Sequence, residues 1–181
     1  VASGFQDAPL GAADAQPFDA AVGNVPFGAF SLHDPVDNPL GLSIHNHFIA
    51  KALRRVKPGG YVAVLTSSYT MDAKRSTARS YIARFGRLLG AVRLPTGAFS
   101  RVAGTDVVTD LLILRRHTSE EAAAIAQDHW LTTKPVTVDG QPTDRDMNTY
   151  FHDNPHHVLG TVGIGHGIHG SQTLVVDEIG R

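Results

Sequence analysis

Residues 43–66 read SIHNHFIAKALRRVKPGGYVAVLT, and this stretch decides the fold class. Ile44, Phe48, Ala52 and Val56 recur at helical spacing, and Ile49 and Leu53 widen the apolar stripe. Ser43 stands at the N-cap, and Pro58-Gly59-Gly60 stops the helix, which is expected over Ser43–Val56. Tyr61–Thr66 is a continuous apolar run of the buried-strand type. On the N-terminal side, Phe18–Asn24 (FDAAVGN) reads as another short buried strand. Between it and the helix, Val25–Leu42 holds Pro26, Gly28, Pro35, Pro39 and Gly41, and so reads as a long loop. Long loops in compact domains are usually functional or mobile. On the C-terminal side, Arg75–Phe85 reads as a basic helix, and Leu88–Leu94 and Val107–Leu114 as strands able to form a hairpin at a sheet edge. Strand, helix, strand, helix, strand, strand is an α/β order.

Beyond Arg116 the pattern weakens. Ser119–Trp130 reads as a short helix capped by Ser119, with Glu120 and Glu121 in its first turn. From Thr132 onward the chain is polar and rich in Gly, Pro and His. The expected division is therefore 1–117 as one half-domain and 118–181 as a less regular appendage.

A chain of 181 residues with 42% hydrophobic composition is one ordinary domain or part of a larger one. No run of 18 apolar residues exists, so no transmembrane helix is expected. The start, VASGFQDAPL, lacks the basic and apolar regions of a signal peptide. The absence of cysteine excludes disulfides, thiolate metal sites and cysteine nucleophiles, and a cytoplasmic setting fits. The net charge of −1 hides a strong asymmetry: −5 over 1–50, +10 over 51–117 and −6 over 118–181. A basic middle block is what a nucleic-acid footprint needs, though solvated helix faces give the same count. Arg75, Arg79, Arg84 and Arg101 are candidates for phosphate contact, with helix-surface arginine as the alternative for each.

The chemistry is concentrated in Asn24-Val25-Pro26-Phe27, at the C-terminal end of the first strand. Ligands of open α/β sheets bind beyond that end. Pro26 pushes Val25 towards an extended conformation, which lets the Val25 carbonyl point beside the Asn24 amide. Two acceptors and an aromatic face suit a planar ring with an exocyclic amine. Asn24 Oδ1 and the Val25 carbonyl would each accept one amino hydrogen, and Phe27 would stack. A strand end with Asn in a turn and Phe in the core fits these four residues equally.

In context, FDAAVGNVPFG, SIHNHFIAKALRRVKPGGYVAVLTSSYTMD and LLGAVRLPTGAFSRVAGTDVVTDLLILRR resemble the amino-methyltransferases that make N6-methyladenine in DNA. The likeness is strongest to the methylase region of helicase–methylase proteins of phages and conjugative elements, where restriction-modification is the setting. It runs from about Gly4 to Arg116, with a weaker echo in YFHDNPHHVLG (Tyr150–Gly160). The resemblance implies a Rossmann-like S-adenosylmethionine-dependent sheet. Asn24 would bind the target amine beside the cofactor, Val25 would act through its main-chain carbonyl, and Pro26 would match the motif's second proline. Phe27 would stack on the flipped base, and Phe99 would be a second aromatic against it. It implies DNA as partner, together with the remaining N-terminal part of the same protein and, in the helicase–methylase proteins, a fused helicase.

In this family the cofactor's Gly-rich loop precedes the Asn-Pro-Pro-Phe motif, and only 23 residues precede Asn24. The expectation is a catalytic half truncated at its N-terminus, carrying little activity alone. Gly165–Gly170 spells G-x-G-x-x-G, but SQTLVV after it reads as a strand, whereas the fingerprint needs a helix N-terminus. It is expected to be a flexible tail.

No metal site is expected from the ten histidines. His45 and His47 sit about 200° apart on a helix and cannot share an ion. His156, His157, His166 and His169 lie in polar loops. Ser67, Ser68 and Thr70 lack a nucleophile-elbow motif. Two other classes remain: a glutamine side-chain methyltransferase, whose acceptor is also a planar amide, and a non-catalytic module that binds DNA or a partner.

Overall fold

A computed structural model describes residues 18–98, 107–118, 120, 129–166 and 172–177. The fold is α/β, as expected. Strands β1 (Phe18–Asn24), β2 (Val56–Ser67), β3 (Gly86–Arg93) and β4 (Thr109–Arg116) form a mixed sheet in the order β1-β2-β4-β3. β1 and β2 are parallel, joined through α1 (Ile44–Arg55). β4 runs antiparallel to both β2 and β3, so β3 and β4 are the expected hairpin at a sheet edge. Short helices α2 (Tyr69–Asp72) and α3 (Thr77–Ala83) link β2 to β3, so the expected Arg75–Phe85 helix is shorter than its sequence suggested.

The apolar stripe of α1 packs on β2 and β4. Ile49, Leu53, Val56, Val62, Val64, Leu112 and Leu114 form one cluster, each at most 3% exposed. Burying a side chain of this size contributes about 1.5–3 kcal/mol. Burial on α1 goes well past the stripe: nine of its twelve residues are buried, His45, Asn46, His47 and Lys51 among them.

Two strand expectations are corrected. β1 is exposed along nearly its whole length, with Val22 at 82%, and Ala21 is its residue packed on the core. β2 alternates instead of being buried on both sides: Val62 and Val64 are covered while Tyr61 is 50% exposed. An apolar run states that a strand can be buried, not that this chain supplies the cover. The start of β2 also absorbs a bulge. Phe18 pairs with Val56 and Ala20 with Tyr61, so Lys57–Gly60 loop out against β1. Gly59 takes φ +79 there, and a Cβ on Gly60 would lie 2.7 Å from the Asp19 carbonyl oxygen.

Past residue 118 the chain builds two hairpins, β5 (Thr133–Val138) with β6 (Gln141–Asn148) and β7 (Thr161–His166) with β8 (Gln172–Asp177), separated by α4 (Thr149–Asp153). Gly165 and His166 thus lie in a strand, not a flexible tail, and β8 is the strand expected after them. Trp130, Val136, Met147 and Phe151 join the same core cluster as α1 and β2. Asn148 fastens this region down: its Nδ2 donates to the carbonyls of Met71 and Trp130, both at 2.7 Å, and its backbone N–H donates to Asp72 Oδ1 at 2.9 Å. Arg93 completes the junction. Its guanidinium forks onto both oxygens of Asp110 at 2.8 Å, meets Asp72 Oδ2 at 2.8 Å and lies 4.3 Å from the Phe151 ring centre. Burial alone would lower the Arg93 pKa, but the two carboxylates raise it above the ordinary value. No helix among the described residues is long and apolar enough to cross a membrane.

Candidate active site

Because β1 and β2 are parallel, both end at the same edge of the sheet. Asn24 closes β1 there, in register with Leu65, which in turn pairs with Leu111 of β4. Paired residues share a face, so Asn24 lies on the face opposite the one that holds Val64 and Leu112 under α1. Asn24 is exposed, and its carboxamide makes no hydrogen bond among the described residues. Val25 extends the ladder one step: its N–H donates to the Leu65 carbonyl at 3.0 Å, and its side chain is 7% exposed in the core. Pro26 is exposed, and Phe27 is half-buried against the core. Asn24, Val25, Pro26 and Phe27 therefore sit together at the carboxyl edge. Phe99 and Arg101 lie outside the described residues.

The loop after Phe27 is tightly held. Asn38 is buried; its Nδ2 donates to the carbonyls of Leu32 at 3.2 Å and Leu42 at 3.0 Å, and its Oδ1 accepts the Leu42 N–H at 2.7 Å. Lys51 Nζ reaches Asp37 Oδ2 at 2.9 Å and Asp34 Oδ2 at 3.6 Å, and Arg54 NH1 reaches Asp37 Oδ1 at 2.8 Å. His47 Nε2 is 3.6 Å from Asp34 Oδ2 with the ring fully buried. Burial pushes the His47 pKa down, against the pull of the Asp34 carboxylate. His45 is lowered by burial too, and its Nε2 lies 3.0 Å from Ser43 Oγ. Asp34 is held below the usual carboxylate range by the backbone N–H of Asp37, with Lys51 and His47 assisting against burial.

This anchoring was not anticipated. Acids in a Pro-rich loop read as solvated, but His47, Lys51 and Arg54 recur at helical spacing and form a polar stripe facing Asp34 and Asp37. The arginine expectation changes as well. Arg79 neither lies on the helix surface nor meets phosphate. It is 1% exposed and donates from Nε and NH2 to the Leu131 carbonyl and from NH1 to that of Thr70. Arg75 and Arg84 are exposed, the latter over the Tyr81 ring. Lys51, Arg79 and Arg93 together remove three cations from the basic block's surface. Ser67 Oγ accepts the Tyr69 N–H at 3.3 Å, and the hydroxyls of Thr66 and Thr70 pair at 3.0 Å. A separate cleft of about 380 Å³, lined by Leu88, Trp130 and Tyr150 among others, includes none of the expected site residues.

No protein-family model matches the chain. Defense against restriction protein B of Escherichia phage P1 is 31% identical over 144 residues, 75% of this chain. The chain spans about 6% of the length of that relative. Partial overlays exist with solved structures. The M protein of the type I restriction enzyme EcoKI is 22% identical, covering 83% of this chain and 32% of its own, with a TM-score of 0.46. A protein of a type I restriction-modification system is 21% identical, covering 57% of this chain and 22% of its own, with a TM-score of 0.46.

Proposed function

We propose that the chain is the target-base half of a DNA adenine-N6 methyltransferase, and that its partners are DNA and the rest of the same protein, with a fused helicase in the helicase–methylase arrangement. The observation that carries this is the placing of Asn24-Val25-Pro26-Phe27 at the carboxyl end of a parallel strand, with the Asn24 carboxamide unengaged. The similarity to a phage protein named for defence against restriction supports a setting in restriction-modification.

The chain's residues supply the amine side of the reaction. Asn24 Oδ1 and the Val25 carbonyl accept the two amino hydrogens of an extruded adenine. That contact localises the nitrogen lone pair and aims it at the incoming methyl carbon. Phe27 stacks on the ring and fixes its plane. Alignment supplies most of the acceleration, with no prior ionisation of the amine. S-adenosylmethionine, when bound, supplies the electrophilic methyl group. Among this chain's residues only Asn24 is assigned beside it. Gly165 and His166, inside a β-hairpin, have no helix N-terminus after them with which to cradle it.

The test is Asn24→Ala in the complete enzyme that contains this segment, assayed for N6-methyladenine in duplex DNA. Turnover is expected to fall at least about a hundredfold while cofactor binding is retained. Unchanged turnover overturns the reading.

A further inference from the structure

We propose that Phe30 is a second base-stacking residue of this site, taking the nucleobase next to the extruded adenine. This rests on the target-base reading of Asn24–Phe27 given above. Phe30 is a large aromatic left 56% exposed six residues after Asn24. Its exposure is not that of a loose loop. The Phe30 carbonyl accepts the Ile44 N–H at 2.9 Å, and the adjoining Ser31 bridges to Ser43, so the residue is fixed to the start of α1. The Asn38 hydrogen bonds and the Asp34, Asp37 and Lys51 ion pairs hold the remainder of the loop behind it.

The ring lies directly over Gly28. A Cβ at Gly28 would stand 2.6 Å from Phe30 Cε1 and 2.8 Å from Cδ1. Gly28 is also the residue that follows Phe27, so the two aromatics are carried on one short, braced segment. Two apolar flat faces, one half-buried and one open, suit two different bases. Extruding an adenine strips its neighbour of a stacking partner on one side. A rigid, pre-exposed aromatic beside the pocket restores that contact at little ordering cost, and such stacking tolerates any base.

The test uses the full 181-residue chain and a fluorescein-labelled single-stranded oligonucleotide with one adenine, read by anisotropy. Companion oligonucleotides carry an abasic site at the base beside the adenine, or at the adenine itself. Phe30→Ala is expected to weaken binding to the intact strand about tenfold. That loss should vanish when the neighbouring base is absent. Phe30→Tyr should bind like the parent. Phe30→Leu, which keeps apolar cover on Gly28 but has no flat face, should behave like Phe30→Ala. Parent-like binding by Phe30→Ala, a loss independent of the neighbouring base, or no binding by the parent chain overturns the proposal. The target-base reading fails separately: the parent would then bind equally with and without the adenine, whatever Phe30 does.

Discussion

The Lys51 ammonium lies 2.9 Å from Asp37 Oδ2, with both side chains at least 95% buried, and this pair ties the loop that starts at Asn24 to the helix that ends it. Buried ion pairs are costly to assemble and costlier to break, because removing one partner strands the other. Lys51→Met is therefore expected to destabilise the fold by about 3–5 kcal/mol. Urea unfolding followed by circular dichroism measures it, and a loss below about 1 kcal/mol would show that the loop is held by its other contacts.

Asn148→Ala tests the junction between the sheet and the segment after residue 118. It leaves the buried carbonyls of Met71 and Trp130 without their donor and frees the Tyr150 N–H from the Asn148 side chain. Each stranded buried group costs about 1–3 kcal/mol. Hydrogen exchange should quicken in β6 and in the turn at Met71 together. Faster exchange confined to β6 would mean that the two regions are not coupled through this side chain.

Acid should weaken the protein in two separate windows. His45 and His47 have lowered pKa values in the fold, in both cases because burial disfavours the charged ring. The unfolded chain takes up these protons first, near pH 6.5. Their contribution is complete above about pH 6.5 and is lost as the pH falls from there through the lower folded values. Around His47 the balance is set by Asp34 and Asp37, which raise its pKa, and Lys51, which lowers it. Asp34, also lowered, adds its own loss only below about pH 4. Urea midpoints at pH 7.5, 6.5 and 5.5 should decline in that order, and His47→Gln should flatten the decline. A level profile over this range would rule out histidine control.

Val25→Pro would make the motif read Asn-Pro-Pro-Phe, yet it removes the N–H that donates to Leu65. A loss of about 1–3 kcal/mol is expected, from an unpaired carbonyl at the end of β2. If thermal melting shows no change, the strand end relaxes and the Val25 N–H is dispensable.

Much of this layout is legible from residue patterning. Helical periodicity located α1, the apolar run at Tyr61–Thr66 located β2, and the Asn-Val-Pro-Phe motif fell at a strand end. What escaped depends on partners distant in sequence. Asp72, Arg93, Asp110 and Asn148 meet across 76 residues, and nothing local distinguishes a buried arginine such as Arg93 from a solvated one such as Arg84. Burial of β1 was over-read for a related reason: FDAAVGN is apolar enough for a core, but core position depends on what lies over it.

β8 holds the turn that begins at Pro95. The Thr96 N–H donates to the Val176 carbonyl at 2.8 Å, and Thr96 Oγ1 accepts the Val176 N–H at 2.7 Å, across 80 residues of chain. Contacts of that sequence separation form late, because a long loop must close before they return anything. During synthesis the β1–β4 sheet can leave the ribosome and collapse while this clasp is still untranslated. The turn leading into the segment that carries Phe99 thus takes its final shape last, and a nascent chain stopped before Val176 would present that segment without its tether.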